Sequence, residues 1–394
     1  MYLTKEEEKI YDGEYGEVLE KCMNLLVSLG DIYGAEKLIP ISSSQISGVS
    51  YKTIGDIGLE FLRDFANEKV EVSVPSTLNP CGMDVDNWKK LGFPEDFAKK
   101  QLEIIDCFKK IGAEISCTCT PYLTGNLPRF REHIAWAESS AVSFANSVIG
   151  AKTNREGGPA ALASAIIGKT PYYGYHLDEN RKATHIIEVN IENPSIDVYG
   201  ALGYIVGKTV KNGIPYFKNI KNINNDELKA LGAAMAASSG VALYHVENIT
   251  PEAKKAIDDN LEKITIDMDD IKDAYEELNT CNEAPDLICI GCPHCSLREI
   301  KEIAEFIKKN SIKLKCDLWI CTSLHMKAIA DRMGYTRIIE KAGGEIVKDT
   351  CMVVAPIEDM GYKRVATNSG KAGVYLPSFC KSEVIYGNIK DILK

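Results

Sequence analysis

Short strand-like runs alternate with helix-like segments over most of this chain. Helix-like IGDIGLEFLRDFAN precedes strand-like VEVSVPS, and helix-like DFAKKQLEIIDCFKKIGA precedes strand-like EISCT. The alternation returns in PDLICIGCPHCSLREIKEIAEFIKK and in KCDLWICTSLHMKAIADRMG. Such a pattern is typical of mainly parallel sheets covered by helices. It predicts an α/β fold built in layers.

The length of 394 residues exceeds what one hydrophobic core usually holds, so we expect several sub-domains packed as one body. We place an N-terminal α/β lobe at residues 1–280, with room for two sub-domains, and a C-terminal α/β lobe at residues 281–394. A charged stretch at residues 251–280 has helical composition and is predicted to be a lid or a connector.

Charge and hydropathy exclude two classes of partner. The formal net charge of -10 provides no positive surface for nucleic acid or acidic lipid. No apolar run approaches the roughly 18–20 residues that cross a bilayer, and the acidic N-terminus does not resemble a secretion signal. We therefore predict a cytoplasmic protein that binds neither nucleic acid nor membrane. Its 13 cysteines are not expected to form a disulfide framework.

Three predicted strands each lead into a polar loop. These loops are SSSQISGVSYKT at 42–53, PSTLNPCGMD at 75–84 and CTCTPYLTGN at 117–126. Because ligands gather at the carboxyl ends of parallel strands, the three loops predict a shared site. The turn at Gly48, Val49 and Ser50 is suited to presenting backbone N–H groups to an anion. Lys371 follows a glycine turn and is placed to add a positive charge.

Cys292 and Cys295 form a CxxC pair after a strand-like run. By itself the pair fits a redox dithiol, half of a zinc site, one corner of an iron–sulfur site or two buried structural cysteines. A zinc site lacks a second pair at short spacing, and a thioredoxin-like fold would leave most of the chain unexplained. An iron–sulfur cluster takes thiolates from several loops, and Cys119 and Cys351 also follow strand-like runs. Spacing alone leaves these alternatives open.

The segment WAESSAVSFANSVIGAKTNREGG at 136–158 is rich in small residues, which on the face of a helix permit close backbone approach. Tight helix packing accounts for Ser143 and Ser147. Glu138 lies close to Trp136 in the sequence. A carboxylate in an apolar neighbourhood either pairs with a cation or has its pKa raised.

Taken together, these segments resemble the aconitase X family, specifically its large catalytic subunit. The resemblance covers nearly the whole chain and is carried by ISSSQISGVSYKTIGD, VPSTLNPCGMD, TCTPYLTGNLP, HIAWAESSAVSFANSVIGAKTNREGGP, YYGYHLDENR, IGCPHCSL, DTCMV and TNSGKAGVYLP. It implies an aconitase-like, multi-domain arrangement of α/β/α layers with mainly parallel sheets around a [4Fe-4S] cluster. It also implies a hydro-lyase that removes water from a hydroxylated acid.

Carried over by motif, the resemblance assigns the cluster ligands to Cys119, Cys292 and Cys351. Cys117 and Cys295 become neighbours that are not ligands. Substrate contacts are assigned to Gly48, Val49, Ser50, Asn79, Pro80, Glu138, Ser139 and Lys371. Glu138 and Ser139 are also the catalytic candidates of this chain, with Glu138 expected to orient or protonate the leaving hydroxyl. The main base is expected to be a serine of a separate small subunit.

The family divides by substrate. One branch, often with a fused swivelling domain, resembles enzymes that dehydrate cis-3-hydroxy-L-proline. In the other branch the swivelling domain is a separate small subunit. There (R)-5-phosphomevalonate gives trans-anhydromevalonate 5-phosphate, in an archaeal-type mevalonate pathway of isoprenoid biosynthesis.

Because the sequence shows no room for a fused domain, we expect the second branch and a heterodimer or higher assembly. The alternatives are a hydroxyproline dehydratase, a non-catalytic metal-stabilised binding protein and a thioredoxin-type oxidoreductase.

Overall fold

The structure is a computed structural model that describes residues 1–257 and 261–394. Within these residues the strands form three parallel sheets and one short antiparallel pair. Helices cover the sheets, so the predicted layered α/β fold with mainly parallel sheets is confirmed. No helix in this part of the chain is long and apolar enough to cross a membrane.

The first part of the chain holds a three-stranded parallel sheet, in the order β3-β2-β4, and the antiparallel pair β1–β5. Its elements are α1 (Lys5–Tyr11), α2 (Glu17–Ile32), β1 (Leu38–Pro40), β2 (Ser44–Ile46), α3 (Tyr51–Asn67), β3 (Ser76–Leu78), α4 (Glu95–Lys110), β4 (Ala135–Trp136), α5 (Ser139–Phe144), α6 (Gly158–Ile167) and β5 (Lys169–Pro171). A π-helical turn at Ala145–Ile149 continues α5.

The strands of this sheet differ from the predicted ones. Of the predicted strand VEVSVPS, only the last residue, Ser76, belongs to β3. The predicted strand EISCT contributes only an isolated bridge, between Glu114 and Thr77. The segment rich in small residues that begins at Trp136 opens with the last residue of β4. Strands of two or three residues are too short for the alternation of buried and exposed side chains to identify them.

The middle part holds a four-stranded parallel sheet in the order β8-β7-β6-β9. Its elements are β6 (His185–Val189), α7 (Ile196–Val210), β7 (Pro215–Lys218), α8 (Asn225–Ser238), β8 (His245–Val246), α9 (Ala253–Ala256), β9 (Glu262–Ile266) and α10 (Met268–Leu278).

The prediction of a helical lid or connector at 251–280 is wrong for β9, which pairs with β6 at the edge of this sheet. β9 is charged because most of its side chains are at least partly exposed. Residues 258–260 of that stretch lie outside the described residues.

The last part holds a five-stranded parallel sheet in the order β12-β11-β10-β13-β14. Its elements are β10 (Leu287–Ile290), α11 (Leu297–Asn310), β11 (Asp317–Thr322), α12 (Leu324–Met333), α13 (Tyr335–Lys341), β12 (Gly344–Lys348), β13 (Arg364–Thr367), α14 (Gly370–Phe379), β14 (Glu383–Tyr386) and α15 (Ile389–Ile392). All residues of β10 are buried, as expected for a central strand that is covered on both faces.

One hydrophobic cluster runs through all three parts. Trp136 from the first part, Leu202 from the second and Leu287 from the third belong to it, and each is fully buried. Burial on this scale fixes the three sheets against one another. The loops at the carboxyl ends of β10, β12 and β13 are thereby held against the loops of the first sheet.

Candidate active site

Cys119, Cys292 and Cys351 are brought together from three loops. Cys292 follows β10 and Cys351 follows β12, while Cys119 precedes a short 3-10 turn that begins at Pro121. The Cys292 thiol donates a hydrogen bond to the Cys351 sulfur. Burial raises the pKa of Cys119, and the nearby charges of Glu138 and Cys351 add to this shift. The three residues are only 5%, 5% and 6% exposed. Three soft donors therefore face one buried region.

Backbone hydrogen bonds distinguish two of these sulfurs. The Cys351 sulfur accepts hydrogen bonds from Cys292 and from the backbone of Val353 and Val354. Together these outweigh burial and hold the pKa of Cys351 below its usual value. The Cys119 sulfur accepts the backbone N–H of His294 at 3.1 Å. Such N–H···S bonds stabilise negative charge on sulfur.

The neighbouring cysteines of the two motifs are in different surroundings. Cys117 interacts with the thiol of Cys81, which raises the pKa of Cys117. Burial raises the pKa of Cys295, and its backbone N–H bonds the carbonyl of Cys321. Cys117 and Cys295 therefore have different neighbours from Cys119 and Cys292.

Gly291 sets the direction in which Cys292 leaves β10. Its φ is +108°, and a Cβ at this position would collide with the carbonyl oxygen of Cys321 on the neighbouring strand. Only glycine combines this backbone angle with so close an approach. The turn after β10 therefore depends on residue 291 having no side chain.

His294 is a site residue that the sequence reasoning missed. Its ring is fully buried, with Nδ1 3.0 Å from Thr118 Oγ1 and Nε2 2.9 Å from the carbonyl oxygen of Thr350. Burial lowers the pKa of His294 to about 4. Its place between Cys292 and Cys295 in the CPHC motif is the one signal for it in the sequence.

Glu138 and Lys371 form a buried ion pair at the site. Glu138 caps α5, where its carboxylate accepts hydrogen bonds from Ala141 N and Ser140 Oγ, both at 2.6 Å. The ammonium group of Lys371, in the first turn of α14, donates a hydrogen bond to the other carboxylate oxygen. Burial alone would raise the pKa of Glu138, but Lys371 reverses the effect and holds that pKa below its usual value. Of the two outcomes expected for Glu138, pairing is the one observed.

Gln45, also missed from the sequence, connects two of the predicted substrate contacts. Its Oε1 accepts the backbone N–H of Glu138 at 2.9 Å, and its Nε2 donates to Asn79 Oδ1 at 3.4 Å. Ser139 Oγ lies 3.5 Å from Glu138 Oε1. Pro80 is buried. Asn79, Pro80, Glu138 and Ser139 therefore lie on adjacent loops of the first sheet.

The turn at Gly48, Val49 and Ser50 faces the Cys351 loop. Ser50 caps α3, and its hydroxyl donates to the carbonyl oxygen of Val354 at 2.8 Å. Gly48 has a φ of +83°, a conformation that glycine adopts without strain. Within the described residues, the backbone N–H groups at positions 48, 49 and 50 have no hydrogen-bond partner. They are free to bind an anion.

The residues present fit an iron–sulfur cluster. Tyr122 OH and Thr350 Oγ1 are buried and lack a hydrogen-bond partner within the described residues. Thr350 directly precedes Cys351. Burial raises the pKa of Tyr122, and the nearby charges of Cys119 and Glu138 raise it further. Unsatisfied buried polar groups beside three soft thiols are expected where a sulfur-rich cofactor completes the site. Among residues 1–257 and 261–394, no three His, Cys, Asp or Glu side chains are arranged to hold a single metal ion.

Glu156 shows the effect of burial on a carboxylate without a cation beside it. It is 6% exposed, and its hydrogen bond from Thr170 Oγ1 is long, at 3.5 Å. Burial raises the pKa of Glu156 to about 7. Glu138 is as deeply buried, but its pKa moves in the opposite direction because Lys371 is present.

Glu156→Gln is expected to stabilise the protein at pH 8 more than at pH 5. Between the usual glutamate pKa and about 7, the folded state binds more protons at Glu156 than the unfolded state, so its contribution to stability falls as pH rises. Removing the charge should increase the free energy of unfolding at pH 8 by about 2–3 kcal/mol more than at pH 5. Urea unfolding at both pH values measures this difference. The exposed Glu60→Gln is the control, and equal gains at both pH values would contradict the expectation.

Family models for three consecutive domains match the chain. The aconitase X first domain matches residues 1–179, the second domain residues 183–276 and the third domain residues 285–394. These ranges correspond to the three parts of the fold described above.

Two curated relatives and one solved structure match almost all of the chain. The phosphomevalonate dehydratase large subunit of Methanocaldococcus jannaschii is 74% identical over 100% of both chains. The cis-3-hydroxy-L-proline dehydratase of Pseudomonas aeruginosa is 32% identical, over 96% of this chain and 67% of that protein. The crystal structure of Thermococcus kodakaraensis aconitase X in its holo-form has a TM-score of 0.94 and 52% identity, and the match covers 100% of this chain and 99% of that one.

Proposed function

This chain belongs to the aconitase X family, and we propose that it is the large subunit of a two-subunit phosphomevalonate dehydratase. It is a hydro-lyase that removes water from (R)-5-phosphomevalonate to give trans-anhydromevalonate 5-phosphate, a step of an archaeal-type mevalonate pathway. The observation that carries this function is 74% identity along the full length of a protein with that name. The hydroxyproline dehydratase is much more distant, at 32% identity.

The proposed cofactor is a [4Fe-4S] cluster held by Cys119, Cys292 and Cys351. Support comes from their common burial and from the N–H···S bonds to Cys119 and Cys351. Three soft thiolates are the donor set that such clusters use. When bound, a cluster with one iron free of protein ligands supplies a Lewis acid for a substrate hydroxyl.

The residues of this chain bind and orient the substrate. The free N–H groups of Gly48, Val49 and Ser50 bind an anionic group, either the carboxylate or the phosphate. Lys371 adds positive charge within the same buried region. The lowered pKa of Glu138 keeps this residue as a carboxylate, which accepts a hydrogen bond from the substrate hydroxyl. Orienting that hydroxyl is therefore favoured over protonating it.

The small subunit completes the enzyme. The relative from Methanocaldococcus jannaschii is called a large subunit, which implies a smaller partner. We propose that this partner is a swivelling domain and that its serine removes the proton next to the carboxylate. Asn79, Pro80 and Ser139 then contact the substrate from the side of the large subunit. A cytoplasmic location stays a prediction.

Anaerobically purified chain mixed with its small subunit is expected to dehydrate phosphomevalonate and not cis-3-hydroxy-L-proline. Both substrates should be assayed side by side by absorbance of the new double bond, with each subunit alone as the control. Turnover of hydroxyproline alone would contradict the proposal. Bound iron without turnover of either substrate would favour a binding protein. Disulfide reduction that depends on both Cys292 and Cys295 would favour the oxidoreductase alternative.

A further inference from the structure

We propose that His294 is a positioning residue that holds the three cysteine loops in the arrangement that binds the cluster. The inference rests on the proposed function, because it takes Cys119, Cys292 and Cys351 as the ligands. The ring of His294 hydrogen-bonds the loops that carry Cys119 and Cys351, so its role is to position these ligands and not to coordinate iron.

One residue reaches all three loops. His294 lies two positions after Cys292 in the chain. Its Nδ1 is 3.0 Å from the hydroxyl of Thr118, next to Cys119, and its Nε2 is 2.9 Å from the carbonyl oxygen of Thr350, next to Cys351. A shift of any one loop would therefore break a hydrogen bond of this ring.

The partners fix the orientation of the ring. A carbonyl oxygen only accepts hydrogen bonds, so Nε2 carries the proton and donates to Thr350. Nδ1 then accepts from the Thr118 hydroxyl. That hydroxyl oxygen in turn accepts the backbone N–H of Thr120 at 3.2 Å. In the neutral ring, only this tautomer satisfies both nitrogens. Outer partners orient the ligands of metal sites in the same way.

The backbone of His294 is held as firmly as its ring. Its N–H donates to the Cys119 sulfur at 3.1 Å, and its carbonyl accepts from Lys229 Nζ at 3.1 Å. Lys229 is buried and forms an ion pair with Glu299 in the first turn of α11. The hydroxyl of Ser369 bonds the carbonyl of Cys292. With the backbone fixed in this way, the imidazole acts as a rigid spacer between the Cys119 and Cys351 loops.

The test compares iron retention in the loaded full chain. His294→Gln is expected to lose iron to a ferrous chelator about 10- to 100-fold faster than the unmodified protein, the usual cost of losing an outer partner of a metal site. His245→Gln is the matched control, because His245 is also fully buried with Nε2 2.9 Å from a carbonyl oxygen, that of Arg181. Equal loss of thermal stability in both variants, with fast iron loss only in His294→Gln, would support positioning.

Two substitutions at Thr118 keep the inference testable if His294→Gln does not fold. Thr118→Val removes the donor to Nδ1 and should also speed iron loss and change the visible circular dichroism of the cluster. Thr118→Ser restores the hydroxyl and should rescue both signals. Iron release at the unmodified rate in His294→Gln, or in folded Thr118→Val, would overturn the inference. If the unmodified chain binds no cluster, or Cys119→Ala retains it, then the proposed cofactor site fails instead.

Discussion

Replacing Cys119, Cys292 or Cys351 by alanine is expected to abolish the iron–sulfur chromophore and all dehydratase activity. Each sulfur comes from a different loop. The neighbouring Cys117 interacts with Cys81, and Cys295 is buried near Glu299 and Lys229. A cluster that keeps one iron free for substrate cannot lose another protein ligand and remain bound with normal affinity. Visible absorbance and iron content of anaerobically purified protein measure the outcome.

Matched variants come from the same two motifs. Cys295→Ala and Cys117→Ala remove thiols within three residues of proposed ligands and should leave the chromophore intact. A chromophore that survives Cys292→Ala but disappears in Cys295→Ala would reverse the assignment within CPHC. An unchanged spectrum for any one of the three proposed ligands would remove that residue from the set.

The fold class could be predicted because helices in this protein are long and regularly patterned. α4 and α11 each run for more than three turns, long enough for the periodicity of apolar residues to show. The strands of the first sheet could not be located, because β2, β3 and β4 contain two or three residues each. Their position depends on neighbours that are distant in sequence.

The candidate site, like the fold, has features that the sequence predicts and features that it does not. The proposed cysteine ligands and Glu138 could be named because their motifs match a family, whereas spacing alone left several kinds of site open. The contacts between them were not predictable. His294 bonds Thr118 across 176 positions of sequence, and Gln45 bonds Glu138 across 93. Such contacts are set by the packing of the sheets, and no local pattern records them.

Lys371→Met is expected to destabilise the protein by about 3–5 kcal/mol at neutral pH, because it leaves the buried carboxylate of Glu138 without its cation. That is a large part of the 5–15 kcal/mol by which proteins are typically stable. Loss of the positive charge should also weaken substrate binding while leaving the three cysteines, and hence the chromophore, in place. Urea unfolding, ligand titration and visible absorbance measure the three effects separately.

The pH dependence of Lys371→Met gives the sharper test, because its sign should reverse. In the unmodified protein the lowered pKa of Glu138 contributes stability that is present above the unfolded pKa and is lost as pH falls through the lower, folded pKa. Without Lys371, burial raises that pKa above its unfolded value, so the contribution of Glu138 falls as pH rises. The double variant Glu138→Gln/Lys371→Met removes both charges and should recover most of the lost stability. Its stability should show neither of the two pH dependences described above. If Lys371→Met keeps the slope of the unmodified protein, the ion pair does not control the charge of Glu138, and the orienting role proposed for its carboxylate loses its basis.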